Sequence, residues 1–450
     1  MTDPLPIPPF RKPLSGQRVT LPGSKSLTNR ALILAALSDQ TVTLEGALFS
    51  RDSRIMCDCL ENLGFKVTLQ PEAKRITIQG GAGNILANTA QLFLGNSGTS
   101  ARFVTALAAL RPGGVFSLDG DPPMRQRPME GLLRALEAQG TRFTFQGKSW
   151  HMPFVMETDG LKGGSTPIDA QASSQLLSAL LMVAPFAREP ARIELLGETV
   201  SQPFVRMTCE LMAQLGASNA EAASGSIFAP RLQDAYHFEA NAYLVEPDAT
   251  AASYFLALPL AAGGQLTVTP WPAHMLQGDA AYADLMAQQR LVELTRTSNT
   301  LQVSPGDQRA GFSADFNTIS DTFLTLAALA PLLNGPTEIR GIGHTRHQET
   351  DRIHAMATEL RKLGQTIEET DDSLKIVPDP AALKRVSAQA PLEIETYEDH
   401  RVAMSFGILG SHDLHGDGRP WLAIRDPACC GKTFPDFFEK LDALREGSDA

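Results

Sequence analysis

The chain has 450 residues, 43% hydrophobic and 20% charged, enough for two or three domains' worth of core. It carries 39 Lys and Arg against 50 Asp and Glu, a formal net charge of -11. Binding to a phosphate backbone or an anionic membrane needs net basic surface, so a nucleic-acid coat and a membrane-surface binder are both disfavoured.

Gly 36 and Pro 30 are ordinary for this length, which excludes collagen-like and disordered classes. The opening stretch MTDPLPIPPFRKPLSG has no basic start ahead of an apolar run, so no secretory leader is expected. Apolar runs such as Leu176 to Ala187 are interrupted by Ser178 and Pro185 and fall short of a membrane span. Cys57, Cys59, Cys209, Cys429 and Cys430 form no disulfide framework, and a reducing cytoplasm is the expected compartment. No metal site is expected: Cys57 and Cys59 are too few, and His347 and His354 lack the H-E-x-x-H spacing.

Along the chain one pattern recurs: a polar residue, an apolar helix, then a strand. Asn29 opens NRALILAALSD before TVTLEGALFS, Ser100 opens SARFVTALAAL, and Ser173 opens SSQLLSALLMVAPFA. Thr250 opens TAASYFLALPLAAGG, Ser320 opens SDTFLTLAALAPLLNG, and Asp399 opens DHRVAMSFGILGSHD. The openings recur every ~70–80 residues, the scale of a supersecondary unit. Amphipathic helices ending at Gly follow, as in SRIMCDCLENLGFKV and DRIHAMATELRKLGQTI. The fold class is α/β. Its first helices are apolar all round and buried, and the second helices lie outside. Six units suggest two clusters of three, with YLVEPDAT around Pro247 as the crossover and the chemistry in the cleft between the clusters.

The candidate chemistry falls at helix starts. LPGSKSLTNRALIL offers backbone N–H groups and Lys25 to an anion, although a capped turn with a solvated Lys explains it equally well. GNSGTSAR, with Gly98, reads first as a cap. In MRQRPMEG, Arg125 and Arg127 precede a helix, where Arg pairs are usually surface charge. In ASSQLL, Ser173 and Ser174 cap a helix or cradle a phosphate. In ISDTF, Asp321 stands at the first turn of an apolar helix, either as a dipole partner or as a general base. RHQETDRIH gathers Glu349, Asp351 and Arg352, and YEDHRVAM and CGKTFPD add Arg401 and Lys432. An acidic chain that concentrates Lys25, Arg30, Arg102, Arg127, Arg352, Arg401 and Lys432 at such places is suited to a small polyanion. Asp321 and Glu349 are then the acid–base candidates.

From Leu21 to about Leu441 these motifs resemble, in order, the 5-enolpyruvylshikimate-3-phosphate synthase family of enolpyruvyl transferases. PGSKSLTNRA, LGNSGTSAR, RQRP, SSQLLSALL, VEPDATAASYF, QETDR, EDHRVAM and GKTFPDFFEKL carry the resemblance. It implies two domains, each of three βαβαββ repeats around a pseudo-threefold axis in an inside-out barrel. Residues 23–245 would form one domain, and residues 1–22 with 246–450 the other. The implied reaction moves the carboxyvinyl group of phosphoenolpyruvate to the 5-hydroxyl of shikimate 3-phosphate by addition–elimination, with no cofactor.

The resemblance also assigns residues. Lys25, Ser26, Arg30, Ser173, Ser174, Gln175, Ser201, Asp321, His344 and Gln348 would meet shikimate 3-phosphate. Lys25, Asn96, Gly98, Arg127, Gln175, Arg352, Arg401 and Lys432 would meet phosphoenolpyruvate. Asp321 would take the hydroxyl proton, Glu349 and Lys432 would serve the methylene and the leaving phosphate, and Lys25 is the fourth catalytic candidate. Glyphosate is implied as a competitor of phosphoenolpyruvate, with room at Gly98, and a monomer is expected.

Three positions depart from the family pattern: Gln348 where Lys is common, Phe204 for Tyr and His344 for Asn. A lost charged contact costs roughly 1.5–3 kcal/mol, with Arg346 or His347 as the neighbours placed to reach the same phosphate. The alternatives are an enolpyruvyl transferase with another acceptor, such as UDP-N-acetylglucosamine, and a non-catalytic anion-binding homologue. The first usually carries a Cys in the loop matching DGDPPMRQRP, which has none here. An RNA-end-processing enzyme on a similar repeat is disfavoured by the charge of -11.

Overall fold

The computed structural model describes residues 3–197, 202–217, 220–222, 225–232 and 235–449. The chain divides into two compact units, Gly23–Glu246 and Met1–Pro22 with Pro247–Ala450. It therefore passes between them twice, at Pro22–Gly23 and at Glu246–Pro247, and Glu246 belongs with residues 23–245.

The described strands form six sheets, five of four strands and one of three. The four-stranded sheets share one plan: an edge strand parallel to its neighbour, then two antiparallel strands. In Gly23–Glu246, for example, Ala242–Leu244 runs parallel to Thr41–Glu45, followed by Arg75–Gln79 and Lys66–Gln70. Alternation explains the register. Val42 faces Ile78 and Leu44 faces Ile76, all buried, while the intervening positions point away.

Sequence-distant strands complete each unit. Ala242–Leu244 returns to pair beside Thr41–Glu45 in the first repeat of its unit. In the other unit Leu14–Thr20 pairs parallel with Gly264–Thr269, and Leu5–Pro6 pairs with Leu422–Ile424. That pairing is why the first 22 residues fold with the second half of the chain.

The apolar helices are interior. Every residue of Gly98–Ala108, of His400–Gly410 and from Ala249 to Ala261 is buried. Arg51–Asn62 buries only one face, through Met56, Cys57, Cys59 and Leu60 among others. No described helix is long and apolar enough to cross a membrane.

Several helix starts differ from the sequence reading. Lys25–Ala36 is capped by Ser24, whose hydroxyl accepts from Leu27 N, so Asn29 lies inside the helix. Gly98–Ala108 is capped by Ser97 rather than opened by Ser100, and Ala249–Ala262 by Asp248 rather than Thr250. In each case a side-chain oxygen nearer the turn reaches an orphan N–H first. Ser173 and Asp399 are the caps of Ser174–Val183 and His400–Gly410.

Candidate active site

The candidate residues fall into two sets, one in each unit. In Gly23–Glu246 three helix starts carry them. Lys25 opens Lys25–Ala36, and its ammonium lies 3.8 Å from the buried carboxylate of Asp52 at the start of Arg51–Asn62. Ser26 follows it, and its carbonyl accepts from Arg30 Nη1 at 3.1 Å. Arg30 is nearly fully buried. Its Nε donates to Thr208 Oγ1 at 2.7 Å, and its Nη2 donates to Ser178 Oγ and Phe204 O, both at 3.2 Å. Among the described residues no carboxylate partners it, and burial pulls its pKa down to about 9. The Phe103 ring lies 5.2 Å from the guanidinium and the Phe204 ring 6.0 Å.

The second cluster surrounds Gly98. A Cβ there would stand 2.4 Å from Arg102 Nη1 and 2.7 Å from Arg127 Cζ, so only glycine lets both guanidiniums approach the helix start. Arg102 Nη1 donates to Gln175 Oε1 at 3.3 Å, which links this helix start to that of Ser174–Val183. Asn96 Oδ1 and Arg127 Nε and Nη1 are buried without a hydrogen-bond partner among the described residues. Buried polar atoms left open beside two cations are what a site for a small anion requires. Ser173 accepts from Gln175 N at 3.3 Å, and Ser174 is buried behind it. Ser201 lies outside the described residues.

In the other unit a single ion-pair network joins the candidates. Arg352 is its hub: Nη1 donates to Asp321 Oδ1 at 3.0 Å and to Gln348 Oε1, Nη2 donates to Glu349 Oε2 at 2.9 Å, and Nε donates to Asp399 Oδ2 at 2.7 Å. Arg401 Nη2 reaches the second oxygen of Asp321 at 2.8 Å, and Lys432 Nζ reaches Glu349 Oε1 at 2.8 Å. Burial opposes the charge on Arg352, but the carboxylates of Asp399, Glu349 and Asp321 outweigh it and raise its pKa. Arg401 is likewise raised against its burial, chiefly by Asp321.

Local structure places these groups. Ile319 leaves helical dihedrals (φ -132, ψ 34), so Asp321 sits in an irregular turn ahead of Phe323–Leu329, not in its first helical turn. Asp351 caps Arg352–Lys362, which sets Glu349 and Arg352 on either side of the cap. Tyr397 and Glu398 both adopt left-handed backbone just before Asp399. Such non-glycine conformations cost about 1–3 kcal/mol each and concentrate at functional sites. Lys432 ends the short turn Pro427–Lys432 and is not at a helix start. The Phe434 ring, 5.8 Å from Phe255, anchors that turn to the core.

His344 Nε2 lies 2.8 Å from Ser320 Oγ, and burial lowers its pKa despite the nearby carboxylates of Asp321 and Asp372. Arg346 is not placed to replace a missing cation at Gln348. Its donors are taken by Asp351, Glu369, Thr370 O and Asp371 O. His347 is exposed. Sequence reading missed Asp52, Thr208 and the buried pairing of Asp399 with Arg352, because each partner is distant in the chain. Only the cap position of Asp399 carried a signal.

Repeated sheet-and-helix units that gather basic and acidic side chains at helix starts and turns are the architecture of an α/β protein suited to small anions. The comparisons make this specific. A family model described as EPSP synthase (3-phosphoshikimate 1-carboxyvinyltransferase) matches residues 10–441. A protein of Opitutus terrae with that name, 3-phosphoshikimate 1-carboxyvinyltransferase, is 49% identical over 100% of this chain and 99% of its own length. One from Nostoc punctiforme is 41% identical over 99% and 100%. The solved EPSP synthase of Acinetobacter baumannii shares the fold, with a TM-score of 0.79 over 98% of both chains at 21% identity. The chain belongs to the EPSP synthase family of transferases.

Proposed function

We propose that the chain transfers the carboxyvinyl group of phosphoenolpyruvate to the 5-hydroxyl of shikimate 3-phosphate and releases phosphate. In this reading the substrates draw on residues of both sets. The carrying observation is Asp321, held between Arg352 and Arg401, beside Glu349, held between Arg352 and Lys432. Two carboxylates braced by three cations supply a base, an acid and anion neutralisation in one place.

In this reading the phosphoenolpyruvate carboxylate competes with Asp321 and Glu349 for Arg352 and Arg401. Asn96, Gly98, Arg127 and Lys25 receive its other charged groups, with Gln175 touching both ligands. Lys25, Ser26, Arg30, Ser173, Ser174, Ser201, His344 and Gln348 hold shikimate 3-phosphate. Asp321 takes the 5-hydroxyl proton as that oxygen bonds to C2 of phosphoenolpyruvate, and Glu349 or Lys432 protonates C3. The tetrahedral intermediate then loses a C3 proton and expels phosphate, assisted by Lys432. Exclusion of water strengthens each of these contacts. Glyphosate competes for the same cations, and the chain works as a cytoplasmic monomer.

The test is phosphate release from purified protein with phosphoenolpyruvate and shikimate 3-phosphate, with plain shikimate as a parallel acceptor. Release that depends on shikimate 3-phosphate supports the reading. Transfer to another acceptor would replace it with the second reading, and folded protein inert with every acceptor would mark a binding homologue.

A further inference from the structure

Behind Asp321 lies a carboxyl that the transfer does not use. Asp279 sits in the turn Gly278–Ala280, only 6% exposed. The Thr250 hydroxyl, in the first turn of Ala249–Ala262, donates to Asp279 Oδ2. Its neighbour Gln277 ties the chain just after the crossover, accepting from Ala249 N at 3.0 Å and donating to Pro247 O at 2.7 Å. Every element packed on this turn contributes charged or titratable groups. Asp321 comes from Asn317–Thr322, and Asp248 and the buried Tyr254 from Ala249–Ala262 and its cap. Ala281–Gln288 brings the buried Tyr282, while its Asp284 pairs with Arg296 at the surface. Arg401 reaches in from His400–Gly410. Asp279 is thus a buried acid whose direct partner is a neutral hydroxyl, close enough to feel both the base candidate and Arg401, one of its two arginines.

We propose that Asp279 is a positioning residue that sets the charge of the Asp321 site. As the neutral acid it adds no charge to the carboxylates of Asp321 and Asp248 that already act on Arg401. Ionised, it adds a further negative charge and competes with the incoming anion for Arg401. Burial, and after it the charge on Asp321, push this carboxyl up to about 7, against the Thr250 hydrogen bond and Arg401. Unfolded, the group ionises near 3.8, so the folded chain holds the extra proton across the window between 3.8 and about 7. Stability from this group is fully present below that window and is lost as pH rises through it.

The proposal rests on Arg401 as a phosphoenolpyruvate contact, and its test keeps a readout independent of turnover. In the full chain, KM for phosphoenolpyruvate is compared between wild type and Asp279→Asn from about pH 6 to about pH 8. The ratio of wild type to variant should rise several-fold with pH while kcat stays within about twofold. The substrate's own ionisation cancels in that ratio. Infrared difference spectra over the same range should show wild type losing a protonated-carboxyl band that Asp279→Asn lacks. Thr250→Val, which removes a hydrogen bond favouring the charged form, should move that loss to higher pH. A flat KM ratio, no such band in wild type, or the band retained in Asp279→Asn would overturn the proposal. Absence of turnover would defeat the proposed reaction, and the infrared titration would still decide whether Asp279 holds the proton.

Discussion

Asp321 and Glu349 are ion-paired to the same guanidinium, and under the proposed reaction that pairing restrains each as a base until a substrate anion takes Arg352 and Arg401. Asp321→Asn and Glu349→Gln keep the shape and remove the proton acceptor. Each should lower kcat by about 10²–10⁴, with circular dichroism unchanged, as expected of a lost general acid or base. Gln348 tells a different story. It braces Arg352 instead of offering a cation, and Arg346 is occupied elsewhere. Gln348→Lys should therefore lower KM for shikimate 3-phosphate about tenfold or more, from a charged contact worth roughly 1.5–3 kcal/mol. An unchanged KM would mean that the acceptor phosphate does not reach this position. Most of these side chains were legible in the sequence, because Arg, Asp and Glu beside an apolar helix start stand out. Their partners were not: Arg352 meets Asp399 across 47 residues and Arg401 meets Asp321 across 80.

At the scale of elements, helix caps double as parts of the site. Asp399 caps His400–Gly410 through Arg401 N at 2.8 Å and binds Arg352 Nε with the same carboxylate, fully buried. Asp399→Ala strips the cap and leaves a buried guanidinium short of a partner. The expected loss is about 3–5 kcal/mol, read from chemical denaturation. A loss below about 1 kcal/mol would mean that Asp321 and Glu349 alone neutralise Arg352. The six openings were readable because a polar residue before an apolar run is a strong cap signal, but their registers slipped. Asn29 and Thr250 look like caps, yet Ser24 and Asp248 sit five and two residues upstream with oxygens that reach the orphan N–H groups. Asp321 slipped for another reason, since nothing in ISDTF announces that Ile319 leaves the helix.

On the scale of the whole molecule, two units built on one sheet plan are joined by two single-strand passages. The sheets themselves could not be counted from sequence, because each first repeat is completed by a distant strand, Ala242–Leu244 in one unit and Leu14–Thr20 in the other. Substrates that bind the folded chain and not the unfolded one stabilise it by mass action. Shikimate 3-phosphate at a hundredfold excess over its Kd should add about 2.7 kcal/mol, seen as a raised thermal transition. Phosphoenolpyruvate should raise the transition further in its presence. No shift with either would separate the chain from these ligands.

The most direct measurement is a single turnover in D₂O with phosphoenolpyruvate and shikimate 3-phosphate, with the product and the recovered phosphoenolpyruvate read by mass spectrometry. Addition and elimination pass through a methyl group at C3, so deuterium should enter the vinyl methylene as phosphate is released. Product formed without deuterium, or no product from folded protein, would contradict the account.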